Sequence, residues 1–320
     1  MKANRSTARY ISYDLRPSKQ TERRILIDIL KLGADCGLPI RDYRYVGMGA
    51  NRFYDFIMVH RDLGISRMVS LEHDAQMFKR AEYNCPFKFI KVQNQSANLF
   101  LTNEHHDNPE VLWLDYDGAL NRDVVTDIAA IGDRACRGDF AFVTVYGAAP
   151  KWAVNLTPKD RKLGLEERFG DLANVVELKE LDDAGFDLAT LKLIHAAFTN
   201  AFAQRTEGKF QKLLSASYSD SVRMVTYGGA FLPKGTATDY VAKLRTAMPF
   251  LKISSNQPYL VPSFPYTDKE RSLLDRAATA STRRRSSERA LLASFGITEK
   301  DIDAYGEVIR YIPRYIESAI

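Results

Sequence analysis

Four short stretches carry side chains that could meet a ligand, and each stands at the end of an apolar run. Gly47-Met48-Gly49-Ala50-Asn51 follows "YRYV". Glycines there remove the Cβ atoms that would hold a ligand off the backbone, and a helix opening after the turn presents unbonded N–H groups. Glu72 closes "MVSL" about 25 residues later, near the position where an acid accepts hydrogen bonds from the two hydroxyls of a ribose. Asn94-Gln95-Ser96 follows "FIKVQ" and brings amides and a hydroxyl suited to the edge of an adenine. Asp115 and Asp117 end "VLWLDYD", on one side of a strand because side chains alternate with a period of two. Two carboxylates so placed could act as a base or hold a divalent metal.

These stretches can meet only if the elements between them bring them to one edge. Between and after them the chain reads as strands alternating with helices of 10 to 15 residues, the pattern of a parallel sheet covered on both faces. In such sheets ligands bind at the carboxyl ends of the strands, so the four tips converge by topology. A first amphipathic helix spans "PSKQTERRILIDILKLGAD", with Pro17 and Ser18 at its entry and Ile25, Leu26, Ile29 and Leu30 at helical spacing. "FQKLLSASYSDSVRMVTYGGAFLP" reads as two strands around a polar turn at Ser219 to Ser221, an antiparallel hairpin added to the sheet edge. The expected fold is therefore α/β: a doubly wound, mostly parallel, Rossmann-like sheet with a late hairpin, an N-terminal helix and a C-terminal helical segment. The expected division is 1–39, a basic segment and helix; 40–235, the sheet domain with a helical insertion at about 150–205; and 236–320, a mainly helical extension. The loop holding His105-His106-Asp107 reads as exposed with no partner at ligand spacing, and His195 as a packing residue on an apolar helix.

The 320 residues are 45% apolar and 27% charged, which suits a soluble globular chain rather than a disordered one. No apolar run reaches the roughly 18 to 20 residues of a membrane span, and no secretory h-region follows the basic start, so a cytoplasmic protein is expected. Three separated cysteines, Cys36, Cys85 and Cys136, form no C-x-x-C pair and argue against a structural zinc or a disulfide framework. The net charge of +5 permits an anionic partner without requiring one. The cations concentrate at Arg16, Lys19, Arg23 and Arg24 and again at Arg283, Arg284 and Arg285, where nucleic acid could be contacted.

The order "YVGMGAN", "MVSLEHD", "VQNQSA", "VLWLDYDG" and a late hairpin resembles class I S-adenosylmethionine-dependent methyltransferases, and within them a bacterial group described only as O-methyltransferases. The resemblance covers roughly residues 40–235. It implies that Gly47 and Gly49 line the cofactor's methionine and ribose with Asn51 beside them, that Glu72 holds the ribose hydroxyls, and that Asn94 or Gln95 lies by the adenine. Asp115 then faces the methyl donor and, with Asp117, is the candidate for catalysis; some members of the family use a divalent metal. The implied reaction is methyl transfer to an acceptor the sequence does not name, most simply at oxygen. Three departures stand out: Tyr45 occupies the place of an acid usual two residues before the first glycine, Asn51 replaces the third glycine, and amides replace the acid at the third strand's end.

Two rival readings follow from the same residues. A binding module would keep the fold without the chemistry. An aspartate-based phosphatase would use Asp115 and Asp117 with Thr144 and the Asp182-Asp183 pair, although Ala119 stands where it needs a threonine and the motif ends the fourth strand rather than the first. For the methyltransferase reading, Gly49→Arg or Glu72→Ala is expected to abolish cofactor binding with the fold intact.

Overall fold

Apolar runs ending in turn residues pair side by side into one eight-stranded sheet, in a computed structural model that describes residues 16–264, 266–279 and 287–313. The strands are β1 (Arg44–Gly47), β2 (Arg67–Leu71), β3 (Ile90–Gln93), β4 (Glu110–Ala119), β5 (Phe140–Tyr146), β6 (Lys209–Ser219), β7 (Arg223–Leu232) and β8 (Tyr259–Leu260), in the order β3-β2-β1-β4-β5-β7-β6-β8. The first five are mutually parallel, β7 runs antiparallel to β5, and the β6–β7 hairpin turns where the sequence predicts. The doubly wound sheet with its late hairpin is the expected fold. Strand order reverses between β1 and β4, and in open α/β sheets a crevice forms at such a point.

Alternation along the strands divides the core. Tyr45, Trp113, Phe140 and Phe142 belong to one buried cluster with helices α1 (Pro17–Asp35), α2 (Tyr54–Leu63), α3 (Ala75–Asn84) and α8 (Lys234–Ala247). That cluster continues into α9 (Asp268–Thr279), α10 (Ser287–Ser294) and α11 (Glu299–Val308). Val46, Leu112, Leu114, Ala141 and Val143 point the other way, onto α4 (Ala97–Asn103), α5 (Arg122–Arg134), α6 (Pro158–Phe169) and α7 (Phe186–Ala201). Burying each large side chain contributes roughly 1.5–3 kcal/mol, so the two faces hold the sheet between them. Because Asp115 follows Trp113 by two, it points toward the α1 side. Among the described residues no helix is long and apolar enough to cross a membrane.

The N-terminal helix is fixed at its start by a residue 200 positions away. Pro17 opens the helix, but no side chain of its own turn caps it. Instead Asp220, in the hairpin turn, accepts hydrogen bonds from the backbone N–H groups of Ser18 (2.9 Å) and Lys19 (3.0 Å). These are donors a helix leaves without internal partners, and a carboxylate there also meets the positive end of the helix dipole. The first turn of α1 is thereby held above the carboxyl ends of the strands. Two small elements, α4 and β8, escape the sequence pattern. Ser96, read as an adenine-side residue, caps α4 by accepting from Leu99 N–H at 3.2 Å.

Asp220→Ala should lower stability by about 1–2 kcal/mol, the usual cost of losing an N-cap. Urea unfolding measures this, and an unchanged midpoint would show that water caps the helix equally well.

Candidate active site

At the tip of β4 a set of buried charges gathers that the sequence pattern does not single out. Lys19 of α1 extends its ammonium to 2.9 Å from Asp115 Oδ2 and 3.2 Å from Glu22 Oε2, beneath a surface that leaves it 3% exposed. The same ammonium lies 4.9 Å from the ring centroid of Trp113 and 5.4 Å from that of Tyr218, distances at which an aromatic face attracts a cation. Burial alone would push Lys19 down, but Asp115 and Glu22 outweigh it and hold the ammonium above the ordinary lysine value. From Glu22 a chain of hydrogen bonds crosses the sheet. Thr226 donates to Glu22 Oε1 (2.6 Å), Thr226 and Thr144 share a bond (2.8 Å), and Trp113 Nε1 donates to Thr144 (3.1 Å).

One turn further along α1, Arg23 is 4% exposed and lies over the Tyr54 ring at 5.7 Å. Its Nε and Nη1 are buried with no hydrogen-bond partner. Tyr45, which stands where an acid was expected, donates its hydroxyl to Asp55 Oδ2 at 2.9 Å. Burial pushes the Asp55 carboxyl up, against the opposing pull of Arg23 and of the Tyr45 hydrogen bond. A carboxylate is thus restored beside the first glycine turn, from α2 rather than from β1.

The glycines themselves serve the protein's own packing. A Cβ on Gly49 would stand 2.6 Å from the Phe53 ring and 2.9 Å from Ser70 Oγ, and one on Gly47 would stand 2.9 Å from the Tyr45 hydroxyl. Gly49→Arg therefore disturbs the turn as well as any ligand, and Glu72→Ala is the cleaner probe. The left-handed residues of the turn are Ala50 (φ 46°) and Phe53 (φ 53°), neither of them glycine. Asn51, between them, buries both of its side-chain polar atoms with no hydrogen-bond partner. A buried amide left unbonded is costly, and it is a group a ligand can satisfy.

Glu72 stands at the end of β2, where Oε1 accepts from Asp74 N–H at 2.9 Å. Burial pushes its carboxyl up, and the nearby charge of Asp117 adds to the rise. Asn94 is exposed and uses its amide N–H groups on the carbonyls of Glu72 (2.8 Å) and His73 (3.3 Å), while Gln95 donates to Gln93 Oε1 at 2.8 Å. Asn94 thereby ties the end of β3 to the loop after Glu72, while Gln95 bonds within its own segment. Asp115 and Asp117, expected on one side of a regular strand, lie where the strand departs from regular pairing. The ladder between β4 and β5 is irregular there, with Asp115 opposite Thr144 but Ala119 opposite Tyr146, and Asp117 is exposed on the displaced stretch.

Among the described residues the single grouping of metal-type ligands is His106, Cys136 and Asp139, so Asp115 and Asp117 gather no third ligand. His106 is not in an exposed position as expected: its imidazole is 5% exposed and Nε2 lies 2.8 Å from Asp139 Oδ2. This cluster adjoins Glu110, at the opposite end of β4. His195 bonds Tyr227 through Nδ1 at 2.5 Å, as a packing residue should.

The phosphatase reading fails on geometry. Thr144 is fully buried between Trp113 and Thr226, and Asp183 pairs with Arg161 at 2.6 Å. Three of the four N-terminal cations expected to contact nucleic acid are engaged within the protein. Lys19 and Arg23 are buried, and Arg24 donates to the carbonyls of Tyr311 and Ile312, both at 3.3 Å. Arg283, Arg284 and Arg285 lie outside the described residues. Sequence reasoning missed Lys19, Glu22, Arg23 and Asp55 as site residues. The signal for three of them was present: the apolar stripe Gly33, Ile29, Leu30, Leu26 continues toward the N-terminus through Arg23, Glu22 and Lys19 at helical spacing.

Lys19 faces two carboxylates and is nearer Asp115, so one negative charge is left over. Burial pushes Glu22 above its ordinary value of 4.5; Lys19 opposes the rise and Asp115 adds to it. A native state that keeps a proton the unfolded chain has released is favoured at low pH. Glu22 therefore contributes its full stabilisation below about pH 4.5, lost as pH rises through the raised folded value. Glu22→Gln cannot ionise yet can still accept from Thr226, so its stability relative to the wild type should increase from pH 4.5 toward neutrality. Urea melts at stepped pH measure this difference, and a flat difference would place Glu22 at an ordinary carboxylate value.

Comparison with known proteins places these features in a family. No curated protein matches the sequence. Among solved structures the chain is similar to the N-methyltransferase NodS from Bradyrhizobium japonicum WM9, at 10% identity over 69% of this chain and 99% of that one, with a TM-score of 0.40. It is also similar to the O-methyltransferase from Bacillus cereus in complex with SAH, at 14% identity over 70% and 85%, with a TM-score of 0.39. A third likeness is to an S-adenosylmethionine-dependent methyltransferase from Listeria monocytogenes, described as putative, at 8% identity over 41% of this chain and about half (54%) of that one, with a TM-score of 0.31. Likenesses this distant carry no weight for function. The family model described as "Putative O-methyltransferase" matches residues 11–320, nearly the whole chain, and the chain belongs to that family.

Proposed function

We propose that the protein transfers the methyl group of S-adenosylmethionine to a hydroxyl acceptor. The observation that carries the reading is the convergence, at the switch point of the sheet, of the β1 turn, Glu72 and Asp115 in a chain of this family. The cofactor supplies an already activated methyl group on a sulfonium, so the protein has to bind, align and manage one proton. Glu72, oriented by Asp74 N–H, accepts hydrogen bonds from the ribose hydroxyls. Asp115 is the accessible carboxylate of the cluster, its side chain 25% exposed, and suits the acceptor's proton. Lys19, 2.9 Å away, fixes its orientation. Glu22, Trp113 and Tyr218 hold the Lys19 ammonium from its other sides, so that it stays on Asp115. A smaller role falls to Asn94 and Gln95, which keep the adenine side of the crevice in shape through the bonds they make.

Calorimetric titration with S-adenosylhomocysteine should show binding by the wild type, weakened roughly tenfold or more in Glu72→Ala through loss of hydrogen bonds to a charged acceptor. No heat from the wild type at high protein concentration would sink the reading. With a hydroxylated acceptor found by methyl-transfer screening, Asp115→Asn should lower kcat about 100-fold or more, the usual scale of general-base catalysis, with little change in cofactor affinity. Retention of full turnover would remove Asp115 from the proton transfer.

A further inference from the structure

The side chains of Arg23, Asn51 and Asp55 lie around the turn after β1, and none of their roles follows from the glycine pattern. Arg23 is buried with two nitrogens lacking hydrogen-bond partners, and Asn51 is a second side chain with buried, unbonded polar atoms, on a different element. Both point to a ligand that supplies what the protein does not. Asp55 differs: its Oδ2 is fixed by the Tyr45 hydroxyl at 2.9 Å, and the charge of Arg23 acts on it.

The charges restrict what that ligand can be. A simple anion would be drawn to Arg23 but repelled by Asp55, and a simple cation would meet the reverse. A zwitterion, with its carboxylate toward Arg23 and its ammonium toward Asp55, satisfies both and adds no net charge to a site that already holds Lys19, Glu22 and Asp115. Asn51 offers N–H donors to the carboxylate and a carbonyl to the ammonium, so it can bond both ends.

We propose that Arg23 and Asn51 hold the carboxylate, and Asp55 the ammonium, of the cofactor's α-amino-acid end. This rests on the methyltransferase reading above. It makes α1 part of the cofactor site, with Tyr45 as a positioning residue that presents Asp55 in place of a carboxylate on β1.

The test compares S-adenosylhomocysteine with 5′-methylthioadenosine, which keeps the nucleoside and thioether but lacks the amino-acid end. By calorimetry the full chain should bind the first roughly ten- to a hundredfold more tightly. Arg23→Met and Asp55→Asn should each reduce that preference to within about threefold while affinity for 5′-methylthioadenosine stays nearly constant. Thermal melts establish that the variants fold. Asn51→Ala, which leaves no charge unpaired, should also reduce the preference and keeps the test decisive if a charge change prevents folding. An unchanged preference in folded variants overturns this assignment alone. Failure of the wild type to bind either compound overturns it together with the methyltransferase reading.

Discussion

The ammonium of Lys19, enclosed between Asp115 and Glu22, is the contact on which the arrangement at the top of the sheet depends. Removing three charges from water costs several kcal/mol apiece, and mutual attraction repays that only when the geometry is good and the remaining polar atoms are bonded. Here Thr226 bonds Glu22 and two aromatic faces receive the ammonium. The cluster is a poor source of net stability compared with an apolar plug of the same volume, but it fixes register. It ties the first turn of α1 to the tip of β4, while Asp220 ties the same turn to the β6–β7 hairpin. An apolar plug would hold the helix without specifying which carboxylate faces the crevice.

Because α1 is fixed at both contacts, the proposed cofactor site has the helix before the first strand as a wall, and in that reading the division of labour around the turn after β1 shifts. Gly47 and Gly49 leave room for the side chains of Tyr45 and Phe53, where a Cβ would collide with them. The polar groups proposed for the ligand come from Arg23 on α1, Asn51 in the turn and Asp55 on α2. The departure at Tyr45 is in this sense linked to its surroundings. Tyr45 in place of an acid needs Asp55 as its partner, and the Asp55 carboxylate lies within the influence of Arg23.

How much of this was legible follows from the range over which each signal acts. The strands and their order of polar tips are local, and "VLWLDYDG" and "MVSLE" announce strand ends whatever surrounds them. The helix α4 has seven residues and β8 only two, too short for any periodicity to show. Lys19, Arg23 and Arg24 were counted as a basic segment because composition ignores direction. Projected on a helix, the first two continue a buried stripe, and that geometry was readable without the structure. The partner of Tyr45 is ten residues away and that of Lys19 ninety-six, so neither pair could be assigned from spacing alone. His106 was misread for the same reason, since its partner Asp139 arrives thirty-three residues later.

That second cluster sharpens the contrast between the two ends of the sheet. At the amino end of β4, Glu110 is fully buried and takes Arg44 at 2.8 Å and Arg134, while Asp139 accepts from the backbone N–H groups of Glu110 (2.8 Å) and Cys136 (2.7 Å) and meets His106. Both oxygens of Asp139 are bonded and two guanidinium groups neutralise Glu110, so this end has the features of a structural clamp on the starts of β4 and β5. The carboxyl end is built from the same residue types but leaves Nε and Nη1 of Arg23 and both polar atoms of Asn51 without hydrogen-bond partners. At the amino end His106 Nδ1 is likewise buried without a hydrogen-bond partner, so the two ends differ in how many buried groups await a partner rather than in kind. In the proposed reading a ligand at the carboxyl end supplies partners to Arg23 and Asn51, a demand that the hydrogen bonds of that end make independently of any motif.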